Sequence, residues 1–189
     1  GFKIKPFINS RDISAITGIR GKTNNGWNWE WSSTYGENSN TQIARNTNNA
    51  SQYFLGANAP TEFYSGTPAF RQQINYISFA KNLKEQIGNV KTFNIGFGAE
   101  YRFENYHTNA GEEASWKDYD SSGIRIGGTA GGGSIRLEDA VNESRSVTGL
   151  YFDLETDINE NFLINVAGRY EYFGDFGSNL AGKMAMRYK

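Results

Sequence analysis

The sequence predicts an all-β protein, an antiparallel up-and-down meander of about seven long strands. Three observations predict this fold. Successive segments alternate apolar and polar residues with a period of two, as the two faces of a strand do. Aromatic residues make up 15% of the 189 residues, and there are 22 Gly but only 3 Pro. Short turns rich in Asn and Gly separate several of these segments.

Three strands are predicted in the first half of the chain. Residues 12–20 place on one side Ile13, Ala15, Thr17 and Ile19. Residues 26–36 place on one face Trp27, Trp29, Trp31 and Tyr35, against Asn28, Glu30, Ser32 and Thr34. Residues 72–80 form a strand of ambiguous facing, because Ile74 and Tyr76 oppose Ile77 and Phe79.

The fourth strand is the clearest and covers residues 93–106, FNIGFGAEYRFENY. Its apolar positions are Phe93, Ile95, Phe97, Ala99, Tyr101 and Phe103. Its polar positions are Asn94, Gly96, Gly98, Glu100, Arg102 and Glu104. A helix would mix these two classes on one side, so the period favours a strand.

The last three strands are predicted at 147–156, 163–173 and 180–189. Their apolar positions are Leu150, Phe152, Leu154, Ile164, Val166, Tyr170, Tyr172, Leu180, Met184, Met186 and Tyr188. The opposite positions carry most of the charges. These segments therefore repeat the two-faced pattern of the fourth strand.

The connections between the predicted strands differ greatly in length. Residues 21–26, 81–92 and 157–161 form fairly short connections, whereas 37–70 and 107–146 form long loops. Alternate connections of a meander emerge at opposite ends, so the long loops share one end. Residues 174–179 are a further short turn. Short turns at one end and long loops at the other are typical of outer-membrane β-barrels.

Alternation alone does not decide whether the apolar face meets a core or lipid, and a soluble β-sandwich stays open. Strands of about 10–14 residues are longer than the ~5–6 usual in soluble sheets and suit a bilayer. We therefore expect a lipid-facing set: Trp27, Trp29, Trp31, Phe93, Ile95, Phe97, Tyr101, Phe103, Leu150, Phe152 and Leu154. The other face carries Glu100, Arg102, Glu104, Asp153, Glu155, Arg169, Glu171, Lys183 and Arg187, a mixture that suits a wet barrel lumen.

Composition excludes several other classes. The net charge of −1 and the pI near 5.9 argue against a nucleic-acid partner. The absence of cysteine excludes disulfides and thiolate sites. No run approaches the ~18 apolar residues of a membrane-spanning helix. No catalytic arrangement is recognised, so we expect neither an enzyme nor a cofactor.

Candidate sites in the two long loops are few. Aromatic side chains that could contact a ligand are Tyr53, Phe54, Phe63, Tyr64 and Trp116. The Gly-rich stretch 127–133 is predicted to be a flexible loop, and His107 a surface residue of the loop 107–146. The acidic residues Glu112, Glu113, Asp118 and Asp120 favour a solvated loop over a calcium site, and we expect no bound metal. Asn49 and Asn142 begin N-glycosylation patterns, for which no glycan is expected.

Seven strands in 189 residues amount to roughly 27 residues a strand, so a barrel of ~22 strands would need roughly 600 residues. We therefore expect one partial β-barrel domain over 1–189, about a third of such a barrel. Its first and last strands, 12–20 and 180–189, would expose unpaired backbone groups and pair with other copies or with each other.

Three segments together carry a family resemblance: FNIGFGAEYRFENY at 93–106, GEEASW at 111–116, and the whole of 147–189. With them the chain resembles the β-barrel of TonB-dependent outer-membrane receptors. The resemblance implies uptake of a scarce substrate (a siderophore, cobalamin or a glycan) across the outer membrane of a Gram-negative bacterium. It also implies that the charged face lines the lumen against a plug domain, on which TonB pulls. Neither a plug domain nor a TonB box is recognised within these residues.

Two other functions stay open at this point. One is a soluble β-sandwich or half-barrel that binds a ligand or a glycan through aromatic loops. The other is a surface adhesin or structural barrel without transport. Solubility without detergent separates the first from a membrane barrel.

Overall fold

The computed structural model describes residues 3–189, which form one seven-stranded antiparallel sheet. The strands follow one another in sequence order across the sheet, β1 next to β2 and so on to β7. Their bounds are β1 Lys5–Lys22, β2 Asn28–Arg45, β3 Glu62–Asn82, β4 Thr92–Ala110, β5 Asn142–Asp157, β6 Phe162–Phe173 and β7 Gly177–Tyr188. The predicted seven-stranded meander is confirmed.

Most strands are longer than the sequence predicted, from 12 residues in β6 to 21 in β3. The added residues are largely polar, so the apolar alternation fades while the backbone pairing continues. Consequently the two long loops are shorter than predicted. They cover residues 46–61 and 111–141 instead of 37–70 and 107–146. His107 accordingly lies within β4, and its prediction as a loop residue is wrong.

Helical segments are confined to the connections. They are a 3-10 helix at Ala50–Asn58, α1 at Lys84–Ile87, α2 at Glu113–Trp116 and a second 3-10 helix at Leu137–Asp139. No helix within residues 3–189 is long and apolar enough to cross a membrane.

The connections keep the predicted asymmetry. Residues 23–27, 83–91 and 158–161 form the first, third and fifth connections and are short. The second and fourth, 46–61 and 111–141, are long, and only the sixth, 174–176, is short at that end of the meander. Because neighbouring strands are antiparallel, the odd and even connections leave the sheet at opposite ends.

The register of β5, β6 and β7 separates two faces. Leu150 lies opposite Tyr170, which in turn lies opposite Leu180. One residue along each strand, Tyr151 lies opposite Arg169 and Asp153 opposite Ala167, whose other partner is Lys183. Since side chains alternate along a strand, the apolar and the charged sets occupy different faces of the sheet.

The chain divides into two compact units. The first contains residues up to Ile13, together with Gly36–Arg71 and Asn105–Ser144. The second contains Ser14–Tyr35, Gln72–Glu104 and Arg145–Lys189. Well-buried residues of the first unit include Phe63, Ala69, Thr47, Asn49 and Ser51, and Val147 is buried in the second. The outermost strands β1 and β7 are exposed along most of their length.

Candidate functional site

Charged side chains of β4, β5 and β6, with one from the turn after β6, form a continuous series of ion pairs. In order it runs Glu171, Arg169, Glu100, Arg102, Glu104, Arg145 and Asp175. We call it the ion-pair ladder. Acidic and basic groups alternate along it, so four carboxylates meet three guanidinium groups and the net charge is −1.

The Glu100 half of the ladder connects β4 with β6. Arg169 Nη2 lies 3.3 Å from Glu100 Oε2 and 3.0 Å from Glu171 Oε1. Arg102 Nη1 lies 3.5 Å from the other oxygen of Glu100. One carboxylate therefore takes a guanidinium group on each side, one from its own strand and one from two strands away.

Glu104 is the central carboxylate of the other half of the ladder, where it lies between Arg102 and Arg145, and it is 7% exposed. Arg145 Nε donates to Glu104 Oε2 at 2.5 Å, and Arg102 Nε lies 2.8 Å from Oε1 without pointing its hydrogen at that oxygen. Arg145 Nη1 extends the series to Asp175 Oδ2 at 3.6 Å. The ladder thus neutralises its own charges almost completely.

Two glycines lie beneath side chains that cross from neighbouring strands. At Gly149 on β5, an added Cβ would lie 3.5 Å from Arg169 Nη2 and 3.6 Å from Glu100 Cβ. At Gly98 on β4, an added Cβ would lie 2.5 Å from Tyr151 Cε1. Tyr151 passes over Gly98 and hydrogen-bonds through its hydroxyl to Tyr76 of β3, with the two rings parallel within 3°.

The opposite face of the second unit carries an aromatic cluster, Trp27, Phe79 and Phe97. The ring of Phe97 is 5.5 Å from that of Trp27, edge on, and 5.5 Å from that of Phe79, stacked. Phe79 therefore shares the face of the apolar set, whereas Tyr76 shares that of Tyr151. This settles the facing of β3, which the sequence left ambiguous.

The first unit holds its two long loops together around Asn49, which is 2% exposed. Asn49 Nδ2 donates to the carbonyl oxygens of Ala114 at 2.9 Å and Lys117 at 2.8 Å. Its Oδ1 accepts from the Ser51 backbone at 3.1 Å and from the Ser51 hydroxyl at 2.6 Å. We call Asn49 and Ser51, with these partners, the loop clamp. A buried, fully bonded amide is not available to a glycan, so this pattern has a structural role.

The Gly-rich stretch 127–133 is packed against the loop clamp. Thr129 forms a bridge with Asn49, and its backbone N–H donates to Ser115 O at 3.0 Å. At Gly127 an added Cβ would lie 2.5 Å from Asp118 Cα. Glycine at this position therefore permits two backbones to approach closely, whereas Gly132 and Gly133 have no atom within 4 Å of an added Cβ, and the flexibility of the stretch stays a prediction.

Exposed aromatic rings lie beside this assembly. Tyr53 and Phe54 are 53% and 60% exposed. Arg125 stacks its guanidinium carbon 3.8 Å from the centre of the Tyr53 ring, and Tyr119 lies 6.4 Å from Phe54, edge on. We call these four residues the loop aromatic patch. A stacked guanidinium beside open rings can bind a ligand with an apolar face and an anionic or hydroxyl group.

The comparison with known families comes out clearly. Residues 4–189 match the family model described as TonB dependent receptor-like, beta-barrel. The chain belongs to the TonB-dependent receptor β-barrel family. The resemblance drawn from the sequence is confirmed, and this is a family of outer-membrane receptors and transporters rather than of enzymes. No curated protein matches the chain.

Within this receptor barrel, the charged residues predicted to face the lumen separate into two groups. Five of them lie in the ladder: Glu100, Arg102, Glu104, Arg169 and Glu171. The others lie outside it: Asp153, which accepts from Asn165 at 3.1 Å, Glu155, Lys183 and Arg187. The lumenal position of all nine residues stays a prediction.

Sequence reasoning missed two members of the ladder, Arg145 and Asp175. Arg145 shares the odd-numbered face of β5 with Val147 and Gly149, but the predicted strand began at Val147. The alternation along β5 already assigns Arg145 to this face, and a predicted strand that began two residues earlier would have included it. Asp175 lies in a turn, where no periodicity applies.

The apolar set of the receptor barrel differs in exposure. Six members are exposed by more than a third: Trp31, Phe97, Tyr101, Phe103, Leu150 and Phe152. The other five are half-buried: Trp27, Trp29, Phe93, Ile95 and Leu154. Contact of these residues with lipid stays a prediction.

The remaining predicted ligand residues are less accessible than Tyr53 and Phe54. Phe63 and Tyr64 lie in β3, so their prediction as loop residues is wrong. Phe63 is fully buried, and the Tyr64 hydroxyl is hydrogen-bonded to Thr67 at 2.8 Å. Trp116 is half-buried and donates from Nε1 to Gly111 O at 3.1 Å.

The acidic residues of the long loop are each engaged locally. Glu112 accepts from the Tyr64 backbone at 3.0 Å, and Glu113 pairs with Lys117. Asp120 accepts from Ser122 and from the Arg125 backbone, and the Ser122 hydroxyl holds the pKa of Asp120 below its usual value of 3.8. In the part of the chain that the structure describes, no three His, Cys, Asp or Glu residues are grouped as metal ligands.

Proposed function

We propose that this chain is part of the barrel of a Gram-negative outer-membrane receptor that takes up a scarce substrate, a siderophore, cobalamin or a glycan. The observation that carries the proposal is the ordered assembly of two long loops, which presents open aromatic rings on a barrel of the receptor family. The full-length protein would add a plug domain and draw energy from TonB.

The two faces of the sheet support membrane placement. Exposed aromatic and aliphatic side chains cover one face, including Phe97, Phe152 and Leu150. Burial of such side chains in lipid is favourable by roughly 25 cal/mol for each Å² removed from water. The face that carries the ladder would then line the lumen, where its hydrogen-bonding groups stay hydrated.

The ladder would provide the docking surface for the plug. Because its charges are already paired, it offers partly exposed hydrogen-bonding groups rather than a strong net charge. Arg145 and Arg169 are 40% and 38% exposed and keep N–H groups free for a partner. Such a surface binds a plug by directional hydrogen bonds and releases it without separating a large net charge.

The loop aromatic patch would contact the substrate. Tyr53 and Phe54 supply open rings, and Arg125 supplies guanidinium N–H groups beside them. The loop clamp joins the loop that carries Tyr53 and Phe54 to the loop that carries Arg125. Such preorganisation lowers the entropy cost of binding.

The test is uptake in the native bacterium. We expect deletion of the gene to abolish growth on one member of a panel of ferric siderophores, cobalamin and oligosaccharides supplied as a sole source, and loss of TonB to have the same effect. Replacing Tyr53 and Phe54 together by Ala should raise the half-saturating substrate concentration about tenfold, the loss of ~1.4 kcal/mol.

Leu137→Ala provides the control, since Leu137 is 71% exposed in the other long loop, 111–141, and lies outside the patch. Equal amounts of each variant in the outer membrane should be verified. Growth of the deletion strain on every substrate of the panel, equal to that of the parent, would contradict the proposal.

A further inference from the structure

One cation on the apolar face has no acidic partner. Lys81, near the end of β3, places Nζ 5.8 Å from the centre of the Trp27 ring, and its side chain is half-buried. No carboxylate in residues 3–189 lies within ion-pair distance of Lys81. Its stem packs against the turn before β2, with Cε 3.6 Å from where a Cβ of Gly26 would be.

Lys81 belongs to a site that is already rigid. Thr23 accepts from the Trp27 backbone at 3.0 Å through its hydroxyl and donates its own N–H to Trp27 O at 2.8 Å, so the turn fixes Trp27. The connection 83–91, which follows Lys81, is closed by the Leu83 N–H, which donates to Phe93 O at 2.7 Å. Phe79 and Phe97 extend the aromatic surface below Trp27.

The two turns beside this site carry more basic than acidic residues. Residues 20–27 and 81–91, which form and flank these two turns, contain Arg20, Lys22, Lys81, Lys84 and Lys91 but only one acid, Glu85. Lys91 is neutralised by Glu160, which accepts from it at 2.5 Å. Lys84, three residues after Lys81, is exposed and has no such partner in the described chain.

A second cation–aromatic contact behaves differently. Arg45 lies 4.7 Å over the ring of Phe7, but its Nε is 3.0 Å from Glu62 Oε2, so its charge is compensated within the protein. Lys81 keeps its charge available. An unpaired ammonium group beside Trp at the rim of an apolar surface suits the boundary between hydrocarbon and phosphate.

We propose that Lys81, Trp27 and Lys84 form a binding site for the headgroup phosphate of an anionic phospholipid at the short-turn boundary of the membrane. The inference rests on the membrane placement proposed above but not on any transported substrate. The acyl chains would lie along Phe79 and Phe97, and the two lysines would attract the phosphate and the net negative charge of the lipid.

The test uses the full-length receptor in detergent, with bound lipids counted by native mass spectrometry. The probes are dioleoylphosphatidylglycerol, dioleoylphosphatidylethanolamine and inorganic phosphate alone. We expect the parent to retain phosphatidylglycerol in preference. Lys81→Gln should weaken that retention about fivefold, as expected for one surface cation. Lys91→Gln, in the same connection, should leave it unchanged.

Three results would overturn the site: equal retention of the two lipids by the parent, unchanged retention in Lys81→Gln, or displacement of phosphatidylglycerol by millimolar phosphate. Trp27→Leu provides a second variant, which removes the ring and keeps an apolar side chain, and should also weaken retention. A receptor that takes up its substrate yet shows no preference for phosphatidylglycerol refutes the lipid site alone. Failure of uptake with the preference intact refutes only the transport proposal.

Discussion

The ion-pair ladder and the loop clamp are both polar, yet they hold their parts of the molecule in different ways. The ladder joins charged side chains that stay partly in water, such as Arg145 at 40% exposure. The clamp joins neutral groups that are almost wholly buried, with Asn49 at 2% and Ser51 at 0% exposure. A charged group that is partly exposed can replace a lost partner by water, whereas a buried amide or carbonyl that loses a hydrogen bond stays unsatisfied. We therefore expect the clamp to be the more sensitive of the two.

The largest effect should come from Asn49→Ala. This change leaves the carbonyls of Ala114 and Lys117 and the N–H of Ser51 without their partner in a dry site. We expect a loss of about 3 kcal/mol in the local stability of the two loops, from roughly 1–3 kcal/mol for each unsatisfied group. Hydrogen exchange of 46–61 and 111–141 measures it.

The neighbouring Asn48→Ala is the matched control, because Asn48 is exposed and contributes only its backbone carbonyl, which accepts from Ala130. Equal exchange rates in the two variants would show that the clamp does not hold the loops.

A smaller effect is expected beside the ladder from Gly98→Ala. The new Cβ would lie against the backbone oxygen of Ile77 on β3 and 2.5 Å from the Tyr151 ring, so the backbone of β3 and the bridge from Tyr151 to Tyr76 must move. Overpacking of this kind costs about 2 kcal/mol. Thermal unfolding in detergent should show a lower midpoint temperature for this variant. Gly96→Ala is the control, because its Cβ would contact only Phe79 O at 3.8 Å, and its midpoint should be unchanged.

Glu104→Gln tests the ladder itself. The change removes the charge that Arg102 and Arg145 share and leaves two cations close together. We expect a loss of about 1 kcal/mol, because both guanidinium groups still reach water. Chemical denaturation of the receptor in detergent checks it. Glu155→Gln, on the same face but without an ion pair among the described residues, should change nothing; a loss equal to that of Glu104→Gln would mean that pairing in the ladder is irrelevant.

The smallest effect concerns pH. The pKa of Asp120 is lowered, chiefly by the Ser122 hydroxyl, so its ionised form stabilises the folded loop. That stabilisation is complete above the usual carboxyl pKa of 3.8 and is lost as the pH falls through the lowered value. Proteolysis of the loop by pepsin should therefore accelerate below pH 4 in the parent, and less so in Asp120→Asn. A parallel acceleration in both would exclude Asp120 as the cause.

The sequence predicted the ladder better than the clamp for a physical reason. Side chains of a strand alternate between its two faces, so once the strand is recognised Glu100, Arg102 and Glu104 are assigned to the same face. Asn49 and Ser51 lie in a loop, and their partners are backbone carbonyls of Ala114 and Lys117, which no residue type encodes. For the same reason the sequence did not reveal the close backbone contact at Gly127, since glycine accompanies both mobile chains and tight backbone contacts.

Strand ends were predicted poorly for a related reason. Beyond the apolar alternation, β2 continues to Arg45 and β4 to Ala110 through polar residues. Their pairing depends on neighbouring strands rather than on their own composition. Of the two ladder members that were missed, Arg145 lies at such an end of β5, whereas Asp175 lies in the turn after β6.

The most direct test of the account is the environment of alternate residues along β4 in the membrane-embedded receptor. This chain has no cysteine, so single spin labels can be placed at Phe97, Ala99, Tyr101, Glu100 and Arg102 on a chain without competing thiols. Accessibility to oxygen, which enriches in lipid, should be high at the three odd positions and low at the two even ones, with the reverse order for a water-soluble nickel chelate. High nickel access at the odd positions, or no alternation, would contradict a barrel wall with its apolar face in lipid.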